Sequence, residues 1–441
     1  MAQEKKNSNI VAIIAMIFLF GMISFVTNLA SPMGDILKNQ FQVANWMGTL
    51  GVLCNFIAYA VMGIPAGNML QKLGYKKTGL IAIAVGFVGV GIQTISGTID
   101  SNAAFSVYLL GAFIAGFSMC LLNTVVNPML NSLGGGGNTG NRLIQLGGSF
   151  NSLCGTAVII LTGVLIPQGI KNAKIGDVFP LMYAALAIFA FAFIVISLTK
   201  IPEKSNEQKS KAAAPSKYSP LSFQHFIMGA IGIFVYVGVE VGIPNVLQKW
   251  LQNPDLDVLN LGAIGGAEAI AGSVAATYWL MMLFGRLIGA SIGSKVSAKA
   301  MLTVASTAGV LLVLVAMFAP TDSFVNLPVF KNNAEGLFGM ANVPVSAAML
   351  VLCGLCTSIM WGGIFNLAVE GLGKYTEKAS GYFMVLVCGG GILPLLQNWI
   401  VDLTGGLGYL PSYWVVVAGL VYLLYYALVG SKNVNKDIPV Q

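Results

Sequence analysis

The feature that most constrains this chain is a row of twelve apolar runs, at 10–34, 45–70, 78–96, 104–130, 144–166, 178–199, 222–249, 264–292, 299–319, 345–369, 379–401 and 412–430. None shows strict polar–apolar alternation, which argues against barrel strands. In hydrocarbon every backbone N–H and C=O must be paired internally, so the remaining spanning element is the helix. At about 1.5 Å per residue, about 20 residues cross a hydrocarbon core of about 30 Å. The fold class expected is an all-α membrane protein of twelve transmembrane helices with the lipid bilayer as its main solvent.

Composition agrees. Only 9% of residues are charged and 56% are hydrophobic, whereas a soluble domain is roughly a quarter charged. The net charge of +7 does not point to nucleic acid, because the lysines sit between apolar runs. The six cysteines all fall inside spans. Cys353 and Cys356 form a C-x-x-C on an apolar helix, without a second Cys or His pair, so packing is expected rather than a disulfide or metal site. The first run is too long for a signal-peptide core. Gly134–Gly137 lacks the Lys-Ser/Thr of a phosphate loop and reads as a flexible inner turn. No cofactor is expected.

Charge sets the orientation. With the N-terminus inside, eighteen of the 23 basic residues fall on cytoplasmic segments or helix ends and five on the other side, as the positive-inside rule requires. Both termini are therefore expected in the cytoplasm. Ile201 to Pro220 is polar, Lys-rich and Pro-bounded, and reads as a linker. It divides a six-helix bundle at 1–200 from a second at 221–441. The outer insertion from Thr321 to Pro344 has no functional reading from sequence.

The halves echo each other, as in transporters built from repeated bundles with a site at the midplane. The first span carries Asn28 four residues before Pro32, and the seventh carries Glu240 four residues before Pro244. Proline lacks an N–H, so the carbonyl four residues earlier loses its helical partner. Side chain and bare carbonyl then share one place on a kinked helix, and a neighbouring helix or a polar cargo must satisfy them. A second echo joins spans four and ten. Asn127 and Asn366 each stand six residues before a Leu-Gly pair, Leu133-Gly134 and Leu372-Gly373. With Asn123, Gln145, Asn151 and Gln397, these amides either bond between helices or line a polar chamber. Amides donate and accept, as sugar hydroxyls do.

Glu240 and Glu268 are the acids inside spans, with Asp35 at the outer end of the first. Desolvation disfavours a charged carboxylate, so such a group is suited to exchanging a proton. Glu268 also reads as facing outer water, and Glu370 as pairing with Arg142 or Lys374. His225 and the tryptophans Trp46, Trp250, Trp399 and Trp414 read as interfacial. Tyr278, Trp279, Trp361 and Tyr382 are candidates to stack on a sugar's C–H face, with Trp361 favoured by its depth.

The turn after the second span, Gly67 through Lys77, resembles the loop signature of the major facilitator superfamily: Gly67, then Gln71 where an acid is usual, then Lys72, Gly74 and Lys76. The second half holds a decayed copy between Gly289 and Lys299, with Arg286 just before it. More narrowly, NTVVNPMLNSLG at 123–134, NRLIQLGGSFNSLCG at 141–155, YVGVEVGIPNVL at 236–247 and the stretch from Ile364 to Asp402 are similar to the fucose/glucose/galactose–proton symporter family. The resemblance implies the major facilitator fold, a hexose or deoxyhexose as cargo, a proton gradient as driving force and alternating access in a bacterial inner membrane. The family's first-span acid matches Asp35, and its fourth-span Glu, associated with proton coupling, falls on Asn123. An amide cannot titrate, so proton coupling then rests on Asp35 or Glu240, or is altered or absent.

The expected function is import of a monosaccharide (hexose, deoxyhexose or amino sugar) with H+ by a monomer, the sugar sitting among Asn28, Asn123, Asn127, Gln145, Asn151, Glu240, Trp361 and Asn366. An uncoupled facilitator or exporter of another polar solute is the alternative within transport. A sugar sensor would need a signalling domain, and an enzyme would need a clustered nucleophile and base.

Overall fold

The computed structural model describes residues 2–41, 50–99, 103–165, 173–203, 217–253, 255–261, 266–320, 322–333, 336–435 and 437–440. The side chains of Asp35 and Glu268 lie outside what it describes, as do Trp46 and residues 204–216 of the polar linker. Twelve helical bodies follow one another: α1 Ala2–Phe41, α2 Leu50–Leu73, α3 Tyr75–Ser96, α4 Ala103–Leu133, α5 Gly137–Leu165 and α6 Phe179–Leu198 in the first half. The second half holds α7 Gln224–Leu251, α8 Ala267–Ile292, α9 Ala298–Phe318, α10 Val345–Val369, α11 Gly373–Leu403 and α12 Tyr409–Gly430. Among the described residues, eleven helices are long and apolar enough to cross a membrane; α5, with its amides, is the body outside that count. Large apolar side chains such as Ile14, Phe191, Leu198 and Val304 are exposed on the outside, where lipid would cover them.

Local sequence explains where the helices stop. Gly74 takes φ +84, which breaks the chain between α2 and α3, since glycine reaches positive φ without strain. Gly135, Gly136 and Gly137 also have positive φ, so the four-glycine run is a defined turn leading into α5. Ser297 caps α9 by accepting from the Ala300 N–H at 3.2 Å. Two helices are broken in mid-course. α10 divides into Val345–Thr357 and Met360–Val369, and α11 into Thr376–Val385 and Gly389–Leu403.

Among the described residues, one element is not helical. The outer insertion holds two antiparallel strands, β1 Phe324–Asn333 and β2 Gly336–Pro344, with Phe324 opposite Pro344. Along β2, Ala341 and Val343 are buried while Phe338, Met340 and Asn342 are exposed, the period-2 pattern of a strand with one covered face. That alternation is the sequence signal the all-helical reading passed over. The hairpin leans on α8, where the Phe330 N–H donates to Thr277 Oγ1 at 2.8 Å, and β1 also reaches α5 of the first half.

Two side chains depart from expectation. His225 is fully buried, its ring Nε2 3.0 Å from the Glu370 carbonyl oxygen, and Trp250 is also buried. Both sit where α7 enters or leaves the packed bundle rather than at its rim. Trp399 and Trp414 are exposed, as interfacial residues should be.

Candidate functional site

The two halves are closed against each other at the end that carries the end of α2 and the start of α11. Gly63 and Gly67 of α2 pack on Gly381 of α11 so tightly that a Cβ at Gly63 would stand 2.7 Å from the Gly381 carbonyl oxygen. Only glycines permit that backbone approach. Amides fasten the same side. Asn366 of α10 donates to Asn131 Oδ1 of α4 at 2.9 Å and to the Gly137 carbonyl at 3.1 Å. Ser380 of α11 donates to the Thr124 carbonyl at 3.1 Å. The Lys76 ammonium donates to the Ser197 and Thr199 carbonyls, and the Lys76 N–H to Glu203. The signature turn is thereby tied to the end of α6, while Lys72 closes the last turn of α2.

Behind this seal lies a cavity of about 260 Å³ between the halves, near the lower end of the about 300–1,000 Å³ typical of ligand pockets. Six of the eight amides, acid and tryptophan expected to hold cargo line it: Asn28, Asn123, Gln145, Asn151, Glu240 and Trp361. Asn28 donates to the Ser24 carbonyl and hydroxyl at 2.8 and 2.9 Å, which leaves its carbonyl oxygen free to accept. Asn123 donates to the Tyr59 hydroxyl at 2.6 Å, Gln145 to the Ile359 carbonyl at 2.8 Å and Asn151 to the Phe20 carbonyl at 2.7 Å. Gly362 makes room for Gln145: a Cβ there would meet its Nε2 at 2.7 Å.

The other two are absent from the wall. Asn127 is fully buried and accepts from Trp361 Nε1 at 3.0 Å, while Asn366 belongs to the seal. Gln397 is likewise outside the cavity, buried against Gly242 of α7. Of the aromatics, Trp279 and Trp361 face the cavity. Tyr278 instead bonds its hydroxyl to Thr357 at 2.9 Å, and Tyr382 sits under the Lys378 ammonium.

Arg286 is the largest correction. Expected near the cytoplasmic end of the eighth span, it lines the cavity. α8 continues to Ile292, which at about 1.5 Å per residue places Arg286 about 9 Å inside the helix end. Its Nε donates to the Ser358 carbonyl at 3.3 Å, and one terminal nitrogen to the Gly148 carbonyl, Asn151 Oδ1 and Ser152 Oγ at 3.0, 3.3 and 2.6 Å. The other terminal nitrogen pairs with Glu240 Oε1 at 3.4 Å. Tyr59, Asn55, Ser24 and Ser152 also line the cavity. Asn55 was open to sequence reading as an amide inside the second span. Tyr59, Ser24 and Ser152 carry no such signal.

The model of the Major Facilitator Superfamily matches residues 11–395. The chain belongs to that superfamily. This superfamily member is a membrane transporter, not an enzyme. It is 27% identical over 428 residues to the glucose/galactose transporter of Brucella abortus biovar 1 (strain 9-941), across 96% of this chain and 94% of that protein. It is 23% identical to the L-fucose-proton symporter of Escherichia coli (strain K12), across 87% and 86%. A crystal structure of the E. coli fucose:proton symporter FucP superposes with a TM-score of 0.76 at 20% identity, covering 97% of this chain and 100% of that one. A structure of FucP described as outward gives 0.74 at 21% identity, with the same coverage. The major facilitator fold read from sequence is therefore the fold this chain adopts.

Proposed function

We propose that this transporter imports a monosaccharide (a hexose, deoxyhexose or amino sugar) by alternating access, with H+ as the coupling ion, across a bacterial inner membrane and with both termini cytoplasmic. The observation that carries the proposal is the cavity wall: amides from the first half face two tryptophans and the Glu240–Arg286 pair of the second across one space. Amide groups match hydroxyls that both donate and accept, and indole faces cover the apolar side of a sugar ring. The relatives named for glucose, galactose and fucose support this cargo class. The seal made by Gly63, Gly67, Gly381 and Asn366 supports an outward-facing state, and the segment 201–220 would join the two rocking bundles.

Asp35 and Glu240 are the acids offered for coupling. The amide at Asn123 and the ion pair on Glu240 favour one second reading, an uncoupled facilitator. Uptake into proteoliposomes, with glucose, galactose, fucose and amino sugars, with and without an imposed pH gradient, separates the two. Symport requires accumulation that the gradient drives. Equilibration that the gradient fails to raise establishes facilitation, and no uptake of any monosaccharide sinks the carrier reading. Asp35→Asn and Glu240→Gln then assign the proton: the coupling residue's variant keeps sugar exchange and loses accumulation.

A further inference from the structure

Among the described residues that line the cavity, Glu240 and Arg286 are the only charged ones. They come from consecutive helices of the second half and form one ion pair, so their two charges cancel. The guanidinium is also anchored at all three nitrogens: Nε meets Ser358 O, one terminal nitrogen meets Gly148 O, Asn151 Oδ1 and Ser152 Oγ, and the other meets Glu240 Oε1. Three of those belong to α5 of the other half, so the group is held from both sides.

We propose that Arg286 sets the charge selectivity of this carrier, restricting it to uncharged monosaccharides. The inference rests on the sugar-carrier reading and narrows its cargo. A hexuronate would bring a carboxylate to a cation already compensated by Glu240, beside that residue's own carboxylate. A protonated hexosamine would bring an ammonium to a carboxylate already compensated by Arg286. Either ion would lose hydration without gaining a free counter-charge, which is unfavourable. A neutral hexose loses only hydroxyl hydration, and the amides of the wall replace it.

The two halves of the pair make opposite predictions. Arg286→Gln shifts the cavity charge by one unit toward negative, and Glu240→Gln by one unit toward positive. Uptake of glucose, glucosamine and glucuronate is measured in proteoliposomes at about pH 6, where an amine is protonated. The wild type is expected to take up glucose or its neutral epimer and neither ion. Arg286→Gln should raise the glucosamine-to-glucose ratio by about tenfold or more, and Glu240→Gln should raise the glucuronate-to-glucose ratio similarly. Arg286→Lys should keep the wild-type ratios, which a purely structural role for the guanidinium would not secure. If Arg286→Gln proves inactive toward every sugar, the Glu240→Gln ratio decides alone. Unchanged ratios in active variants, or wild-type uptake of either ion on a par with glucose, overturn the inference while leaving the carrier reading intact. Wild-type protein that moves no monosaccharide overturns both.

Discussion

The α1/α7 and α4/α10 pairs show the same sequence device, a polar side chain repeated between halves, put to different uses. Asn28 and Glu240 both reach the cavity. Asn127 and Asn366 both bond to the opposite half, one accepting from Trp361 and the other gripping Asn131 and Gly137. Asn123, a single turn before Asn127 on α4, lines the cavity again. What separates the two fates is the distance to the opposing half. Asn127 and Asn366 meet it within about 3 Å and fasten it. Asn28 and Asn123 face the cavity instead, and Gln145 does both, lining the cavity while donating to the Ile359 carbonyl at 2.8 Å. In a membrane both outcomes satisfy a costly polar group.

Substitutions at each kind of site break or sharpen this comparison. The largest effect is expected from Glu240→Leu, which strands the Arg286 charge in the cavity. Breaking a buried pair from one side costs about 3 kcal/mol or more, so thermal unfolding in detergent should fall markedly and uptake should vanish. Uptake that survives would show that Arg286 does not depend on its partner. Gly381→Leu comes next. Its side chain would collide with Gly63 and Gly67, so the seal should not close. Alkylation of a Ser380→Cys reporter, in a chain whose native cysteines are replaced by serine, should quicken at least about tenfold.

Asn366→Ala should act on the same readout more gently. It removes bonds to Asn131 and Gly137, a loss of about 1–2 kcal/mol, so the reporter should react several-fold faster while the KM for sugar barely moves. A rise in KM with an unchanged alkylation rate would mean that Asn366 serves cargo and does not fasten the halves. The smallest effect is expected at the wall. Asn28→Ala removes one acceptor facing the cavity, worth about 1 kcal/mol, and should raise KM several-fold with the seal untouched.

The twelve helices were legible because the constraint acts on the backbone: each run long enough to span must bond to itself. Gly67 and Gly74 were legible because positive φ and close backbone approach select glycine, which leaves a spaced signature. The outer hairpin was missed because a short alternating stretch speaks faintly beside twelve long apolar runs. Arg286 was misplaced for a different reason. Charge counting pulls every basic residue toward a loop, and nothing in its neighbourhood announces that Glu240, forty-six positions earlier, and Ser152 lie within reach.

The sequence by itself determined that this chain spans a membrane as two related sets of helices and that its buried amides need partners. Those facts follow from local chemistry, the length of apolar runs and the cost of unpaired polar groups. Which amides face cargo, which lock the halves and which acid meets a cation were decided by tertiary structure alone. They depend on how far apart two bundles stand at each depth, a distance that no single helix encodes.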